Sequence, residues 1–311
     1  MKIVIVGAGA MGCLFAAFLS RQKSKEHQIW LVEKDADRAV RLNKQGIDVE
    51  GIGGNWHVDV RATSDLKDIP SADLIIICVK SYDTKNAIDK LKSLVADDTS
   101  VLTLQNGIGN IEIIGEVIGF DHVIGGVTSL GATWLGAGRI RFAGKGETII
   151  GKIDGKTSVQ MRSIRELFNK ASLDTKISQD IKGFLWSKLI VNTGINALTA
   201  ITRLPNGSLL DFEGSRKILR EAVTEAVKVA KRKRIKISYD DPLAKVESVC
   251  ESTATNVSSM LQDVLRKKRT EIDFINGVIV RFGQELGIAV PVNSILVALV
   301  KVIESSYEKK V

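Results

Sequence analysis

Cysteine is scarce in this chain of 311 residues, which contains three. Cys13, Cys78 and Cys250 lie far apart and form no Cys-x-x-Cys pair, so we expect neither a disulfide framework nor a zinc site. This usage is typical of a reducing compartment, and we expect a cytoplasmic protein that holds no metal. The chain also enters a predicted strand at its second residue, which leaves no room for a signal peptide.

Long apolar runs and aromatic side chains are few as well. The apolar run at residues 74–79 is far shorter than the roughly 20 residues of a membrane-spanning helix, so we expect no membrane partner. Aromatic residues make up 5% of the chain and are absent from its basic clusters at 228–236 and 266–269. Because single-stranded nucleic acids need aromatic stacking surfaces, we interpret these clusters as solvated helix faces and predict no nucleic-acid partner. The net charge of +8 nevertheless favours an anionic cofactor and substrate.

Glycine, in contrast, is regularly spaced near the N-terminus. An apolar run ends in G-A-G-A-M-G and an apolar helical pattern follows; the motif comprises Gly7, Ala8, Gly9, Ala10, Met11 and Gly12. Gly7 permits a tight turn, Gly9 lets the backbone approach a pyrophosphate, and Gly12 lets the helix pack closely on the strand. The first amides of a helix attract phosphate through their free N–H groups and partial positive charge. The motif predicts a dinucleotide site, and the alternative is a glycine-rich turn without a ligand.

Strands and helices alternate in the first part of the chain, with strands predicted at 2–6, 28–32, 74–79 and 100–104. This pattern predicts a doubly wound parallel sheet of the Rossmann type, and the glycine-rich stretch 123–151 adds strands that we expect to close the same domain. From residue 179 onward helical patterns dominate, at 181–202, 215–233, 241–252, 271–286 and 292–308. We therefore predict an α/β protein with a dinucleotide-binding domain at 1–178 and an all-helical substrate and catalytic domain at 179–311.

The end of the second strand bears on the choice of nucleotide. An acidic residue about 20 positions after the glycines accepts the ribose 2′-hydroxyl of NAD, whereas a basic residue accommodates the 2′-phosphate of NADP. Glu33 favours NADH, while Lys34, together with Arg38, would attract a phosphate. The alternative is that both residues at 33 and 34 are ordinary surface charges.

Polar residues interrupt the apolar segment 184–198 at regular spacing. Lys188, Asn192 and Asn196 stand at positions i, i+4 and i+8, so they lie on one face of a helix. Burying an amine and two amides without partners costs on the order of several kcal/mol, so this face requires a polar cleft or a ligand. The alternative is a face that points into water.

Three further residues are candidates by position. Lys80 follows the third predicted strand and Asn106 the fourth, at the sheet edge where such folds bind ligands. Glu271 precedes an apolar helical pattern. The alternatives are a solvated loop charge for Lys80, simple turn chemistry for Asn106, and for Glu271 a first-turn acid favoured by the helix dipole.

Taken together, the motifs resemble those of the ketopantoate reductase (2-dehydropantoate 2-reductase) family over nearly the whole chain. They are G-A-G-A-M-G at 7–12, V-K-S at 79–81, Q-N-G at 105–107, G-V-T-S-L-G-A at 126–132, W-S-K-L-I-V-N-T-G-I-N at 186–196, P-N-G at 205–207, N-V-S-S-M-L-Q-D-V at 256–264, T-E-I-D-F-I-N-G at 270–277 and P-V-N at 291–293.

The resemblance implies reduction of 2-dehydropantoate to (R)-pantoate in pantothenate and coenzyme A biosynthesis, usually with NADPH. It implies that Lys188 is the general acid and that Glu271 contacts both cofactor and substrate. Asn106 is then shared between cofactor and substrate; the implied substrate residues are Asn192, Asn196, Asn206 and Ser259, and the implied further cofactor contacts are Lys80 and Ala132.

One departure from the family leaves the cofactor open. Members that use NADPH commonly carry Gly-Arg where this chain has Glu33-Lys34, so both NADPH and NADH remain candidates. A related dehydrogenase acting on another 2-oxo acid is an alternative function. A non-catalytic nucleotide sensor and a nucleic-acid-binding protein are weaker ones, since Lys188 and the asparagines disfavour a sensor. A homodimer is left open.

Overall fold

The computed structural model describes residues 1–21 and 27–309, and the chain divides into two compact units. Unit 1 consists of Met1–Gln105 and Gly109–Ile181, and unit 2 of Asn106–Ile108 and Lys182–Val311. The strands, all in unit 1, are β1 (Lys2–Val6), β2 (Gln28–Val32), β3 (Ile47–Gly51), β4 (Trp56–Val58), β5 (Arg61–Thr63), β6 (Leu74–Ile77), β7 (Ser100–Thr103), β8 (Val123–Thr128), β9 (Gly131–Gly136), β10 (Arg139–Gly144), β11 (Thr148–Gly151) and β12 (Thr175–Ile177).

Helices of unit 1 connect these strands: α1 (Ala10–Ser20), α2 (Ala36–Gln45), α3 (Thr84–Leu91), α4 (Asn110–Ile118) and α5 (Val159–Lys170). The long helical segments of the second part are α6 (Ile181–Thr202), α7 (Glu213–Arg232), α8 (Pro242–Ser252), α9 (Ser259–Leu265), α10 (Asn276–Leu286) and α11 (Pro291–Ser305). In the described ranges, no helix has both the length and the apolar character needed to cross a bilayer.

The main sheet of unit 1 is the predicted doubly wound one. Within the described residues its strand order is β12-β11-β8-β7-β6-β1-β2-β5, and all neighbours are parallel except β8 and β11. Strands β6 and β7 are buried along their whole length, as expected for central strands with helices on both faces. Because parallel strands end at one edge, the segments after β1, β2 and β6 share that edge.

The strands predicted within residues 123–151 are confirmed, and they divide between the main sheet and a second sheet, whose order among the described residues is β4-β3-β10-β9. Strands β8 and β11 join the main sheet, but β9 and β10 pair with each other and, through β10, with β3. Phe18 of α1 packs edge-on against Phe142 at 5.4 Å and Trp56 at 5.6 Å, so an aromatic cluster fills the space between α1 and this sheet. Strands β3, β4 and β5 were not predicted at all.

Two other boundaries differ from the predicted ones. The strand predicted at 74–79 ends at Ile77. The helix predicted at 271–286 begins only at Asn276, since Ile275 has φ −109° and ψ −92°, outside the helical region, and residues 272–274 form a separate 3₁₀ turn. The reading of Glu271 as a first-turn acid of that helix is therefore wrong.

The core of unit 2 surrounds α6. Its buried apolar members include Trp186, Leu189, Ile195, Leu219, Val223, Val246 and Ile279. A buried network of hydrogen bonds also connects the helices of this core. The Glu225 carboxylate accepts the backbone N–H groups of Val292 and Asn293, both at 2.9 Å, at the beginning of α11. The Asn293 amide oxygen in turn accepts a bond from Asn276, which also donates to Thr193 O on α6. These bonds join α7, α10 and α11 and connect α10 to α6.

Candidate active site

The glycine motif forms a turn between β1 and α1. Gly7 has φ +104°, its N–H donates to Val32 O at 2.9 Å, and a Cβ on it would lie 2.9 Å from Val79 N. A Cβ on Gly12 would collide with Gly7 O, whereas one on Gly9 would meet no atom within 4 Å. The fold therefore requires Gly7 and Gly12 and leaves open space at Gly9.

This open space lies directly before the first amides of α1. Gly9 is the N-cap residue and has no side chain with which to occupy those amides, and the first turn of the helix contains no acidic residue. Ala8 is buried and Met11 packs against the core of unit 1. The cradle thus fits a pyrophosphate, which needs close backbone approach and unshielded helix amides.

Glu33 and Lys34 occupy different environments at the end of β2. Glu33 is 5% exposed; its Oε1 accepts Asp35 N–H at 3.2 Å and its Oε2 lies 3.0 Å from Arg38 Nη1. The Lys34 side chain is 86% exposed and lies 3.6 Å from the carboxylate of Asp83. Glu33 is therefore not an ordinary surface charge, whereas Lys34 faces solvent beside Asp83. Sequence reasoning missed the Glu33–Arg38 pair. The available signal was the position of Arg38 in the first turn of α2, shortly after Glu33.

Lys80 and Ala132 are both in unit 1. Lys80 is partly buried, and its carbonyl accepts Asp83 N–H at 2.8 Å in the turn after β6. Ala132 lies on β9, opposite Phe142 of β10. A residue without a predicted role, Gln105, links the ends of β6 and β7: its amide donates to Val79 O and Thr84 Oγ1, both at 2.8 Å.

Lys188, Asn192 and Asn196 lie on one face of the uninterrupted helix α6. Asn196 is buried, and the other two are partly buried. Burial lowers the pKa of Lys188 to about 8, and the negative charge of Glu271 opposes that shift. Glu271 itself is 5% exposed. An amine with this pKa is largely protonated at neutral pH and gives up its proton more readily than an ordinary lysine, which suits a general acid.

Asn206 carries an unsatisfied buried atom. Its backbone N–H donates to Asn256 O at 3.0 Å and its Nδ2 to Thr253 Oγ1 at 2.9 Å, but its Oδ1 has no hydrogen-bond partner among the described residues. A buried acceptor without a partner costs about 1–3 kcal/mol, so this oxygen is suited to accept a ligand hydroxyl.

Ser259 begins α9, and a chain of hydrogen bonds connects that position to α6. Leu261 N–H donates to Ser258 Oγ at 3.1 Å, and the Ser258 and Thr199 hydroxyls are 2.6 Å apart. Thr199 Oγ1 donates to Asn196 O at 2.9 Å, so the Ser258 hydroxyl must donate to Thr199. The chain links the turn that carries Asn196 to the residue before Ser259, and no sequence signal indicated it.

Asn106 belongs to unit 2, although it closely follows β7 in the chain. The adjacent Gly107 has φ +84°, and a Cβ there would collide with Phe274 O. Ile108 N–H donates to the same oxygen at 3.1 Å. Asn106 is thereby held beside the 3₁₀ turn that follows Glu271. Unit 2 thus contains Asn106, Lys188, Asn192, Asn196, Asn206, Ser259 and Glu271.

Fold and cradle define the class: a dinucleotide-binding α/β protein whose second part is helical. The family model described as "Ketopantoate reductase PanE/ApbA" matches residues 3–155, and that described as "Ketopantoate reductase PanE/ApbA C terminal" matches residues 180–304. The chain belongs to the ketopantoate reductase family.

Individual relatives match this chain over nearly its whole length. A 2-dehydropantoate 2-reductase of Pyrococcus horikoshii is 39% identical over 307 residues, which are 98% of each chain. The crystal structure of a PanE/ApbA family ketopantoate reductase from Ralstonia eutropha is similar with a TM-score of 0.90 at 34% identity, covering 99% of this chain and 100% of that one. The ternary structure of D-mandelate dehydrogenase with NADH and anilino(oxo)acetate is similar with a TM-score of 0.92 at 27% identity, covering 98% of this chain and 99% of that one.

Proposed function

We propose that this protein is a 2-dehydropantoate 2-reductase, which reduces the 2-oxo group of 2-dehydropantoate to give (R)-pantoate with a nicotinamide dinucleotide. The observation that carries the proposal is Lys188, an amine on an apolar helix whose pKa burial lowers to about 8 near the buried carboxylate of Glu271. The full-length similarity to the Pyrococcus horikoshii 2-dehydropantoate 2-reductase supports the substrate.

In this proposal the two units have different roles, the roles expected from the sequence for residues 1–178 and 179–311. Unit 1 holds the cofactor through residues 7–12, Glu33, Lys34, Lys80 and Ala132. Unit 2 holds the substrate through Asn192, Asn196, Asn206 and Ser259, and Asn106 and Glu271 contact both molecules.

A bound reduced nicotinamide supplies the hydride that forms the new C–H bond at C2 of the substrate. Lys188 donates a proton to the carbonyl oxygen as its π bond breaks, so that one hydride and one proton convert the ketone to an alcohol. The neutral amine then regains a proton from water. Glu271 keeps that amine protonated before the reaction by opposing the effect of burial on its pKa. Asn206 Oδ1, which lacks a partner among the described residues, accepts the substrate hydroxyl.

NADH is the proposed reductant. The family resemblance implies NADPH, but the buried carboxylate of Glu33 at the end of β2 would repel a 2′-phosphate and can accept a ribose hydroxyl. The NADH in the D-mandelate dehydrogenase structure is consistent with this choice.

A reductase acting on another 2-oxo acid is the second candidate, and the structural similarity to D-mandelate dehydrogenase is the observation that favours it. One experiment separates the two. NADH and NADPH are each combined with 2-dehydropantoate, pyruvate and phenylglyoxylate, and the loss of reduced-nicotinamide absorbance is followed. We expect the highest kcat/KM with 2-dehydropantoate and NADH. A higher kcat/KM with phenylglyoxylate would favour the second candidate, and no turnover with any acid would favour a nucleotide sensor.

A homodimer in the cytoplasm completes the proposal. Ile295, Leu299 and Val302 are exposed and lie on one face of α11 in unit 2. A two-fold axis would bring this face of one copy against the same face of another. Light scattering during size-exclusion chromatography tests the dimer, and Leu299→Glu should return it to a monomer.

A further inference from the structure

We propose that Arg38 is a second determinant of nucleotide choice, and that the nucleotide it favours depends on whether Glu33 is present. Paired with Glu33 it holds the carboxylate in position for NADH, and without Glu33 it becomes the ligand of a 2′-phosphate. The inference rests on the proposed dinucleotide site of unit 1 and goes beyond the Glu33 argument by assigning a role to the arginine.

Arg38 joins three parts of unit 1 through one guanidinium group. Its Nη1 lies 3.0 Å from Glu33 Oε2 at the end of β2, and its Nη2 donates to Ala8 O in the glycine motif at 2.5 Å. Its Cζ is 5.4 Å from the ring centroid of Trp134 on β9. The side chain of Arg38 is 22% exposed and that of Glu33 is 6% exposed. Such a contact set leaves the group little freedom to turn toward a ligand.

The pair prepares Glu33 for a ribose. A carboxylate oxygen has two acceptor positions, and Arg38 and Asp35 N–H each use one, on different oxygens. Each oxygen therefore keeps a position for a ribose hydroxyl. The guanidinium charge also compensates the burial of the carboxylate. Because the same guanidinium binds Ala8 O, Glu33 and the glycine motif are held in a fixed relation to each other.

The pair also contains the elements of a phosphate site that Glu33 blocks. Removal of the Glu33 carboxylate would free Arg38 Nη1, whose N–H groups would face the vacated position, while Nη2 keeps its bond to Ala8 O. Guanidinium N–H groups held in this way suit a phosphate, and Lys34, next to Glu33 in the chain, adds a second cation. The expectation that Arg38 attracts a phosphate is thus met only when Glu33 is absent.

A double-mutant cycle tests the reversal through binding alone. Dissociation constants for NADH and NADPH are measured by calorimetry for the wild type, Glu33→Ser, Arg38→Met and the double variant. Met retains an apolar stem against Trp134. We expect the wild type to bind NADH at least tenfold more tightly than NADPH. Arg38→Met should weaken NADH several-fold, and Glu33→Ser should weaken NADH and tighten NADPH by about tenfold or more.

The decisive measurement is Arg38→Met in the Glu33→Ser background, which should remove the gain in NADPH affinity. A gain that survives this substitution overturns the proposal, as does a wild type that prefers NADPH. Arg38→Lys keeps a cation without the planar fork, is expected to fold even where Arg38→Met does not, and should also lose most of the gain.

Arg61→Met provides a matched control, because Arg61 also lies over a tryptophan, Trp30, with its Cζ 6.0 Å from the ring centroid. It should leave both dissociation constants unchanged. Failure of the proposed reductase activity can be distinguished from failure of this inference. In the first case no variant would reduce a 2-oxo acid, but the dissociation constants would still follow the expected pattern.

Discussion

The two units build their proposed binding surfaces from different parts of the polypeptide. In unit 1 the cradle is mainly backbone, and two of its three glycines are also required by the packing of β1 and α1. In unit 2 the candidate groups are side chains that project from α6, α9 and the segments beside them. A site made of backbone leaves few positions that can be altered without touching the fold, and Gly9 is one of them, whereas a site made of side chains leaves many. This difference lets the variants below distinguish effects on catalysis or binding from effects on folding stability.

The largest effect is expected from Lys188→Ala in unit 2. Loss of the proton donor should lower kcat by roughly 10²–10⁴-fold, the usual contribution of a general acid. The dissociation constant for NADH, measured by calorimetry, should stay within about twofold of the wild-type value, because the proposal assigns Lys188 to the substrate and not to the cofactor. Lys182→Ala is the control, since Lys182 lies on the same helix and is exposed. Near-normal turnover of Lys188→Ala would refute the assigned role.

Unit 1 offers a pair of glycines that tests the opposite case. Gly9→Ala meets open space, so its melting temperature should match the wild type while NADH affinity falls by about tenfold or more, because a methyl group would occupy pyrophosphate space. Gly12→Ala would collide with Gly7 O and should lose about 1–3 kcal/mol or more of stability. Calorimetry and thermal denaturation check both. Unchanged NADH binding by Gly9→Ala would mean that the cradle does not hold the pyrophosphate.

The pH profile sharpens the role assigned to unit 2. Reduction needs the ammonium form of Lys188, which predominates below a pKa of about 8. We therefore expect kcat/KM for reduction to be level at lower pH and to fall tenfold per unit above about 8. Oxidation of pantoate needs the neutral amine and should rise through the same pH. Glu271→Gln removes a charge that raises this pKa, so the falling limb should move to lower pH. A limb that does not move would contradict the coupling.

The same contrast explains what could be predicted from the sequence. The strands β1 and β2 and the helix α6 were predicted because their periodicity is local, and α6 placed Lys188 and two asparagines on one face. The small sheet was missed because β10 pairs with β3, a partner distant in the chain. Glu33 and Lys34 are adjacent in sequence, yet only the fold decides that one is buried against Arg38 and the other is exposed. The sequence predicts where a residue lies along a helix or strand, but it does not predict which residue its side chain contacts.

The smallest expected effect concerns Thr199, which contacts no ligand in the proposed mechanism. Thr199→Val breaks the hydrogen-bond chain from Asn196 O to Ser258 and leaves the buried Ser258 hydroxyl without its acceptor, at a cost of about 1–3 kcal/mol. Because the chain positions Asn196 and the neighbour of Ser259, we expect the KM for the 2-oxo acid to rise several-fold with kcat and NADH affinity little changed. Steady-state kinetics and thermal denaturation measure both effects.

Two variants on the same helix decide whether Thr199 acts by position or only by stability. Thr199→Ser keeps the hydroxyl and should restore the wild-type KM. Thr193→Val removes a fully buried hydroxyl with no hydrogen-bond partner in the described part of the chain, so it should leave KM unchanged and stability equal or slightly higher. A KM that rises equally in Thr193→Val and Thr199→Val would trace to general loosening of α6. A rise confined to Thr199→Val would show that the hydrogen-bond chain through Thr199 and Ser258, and not the helix as a whole, positions the substrate-binding side chains.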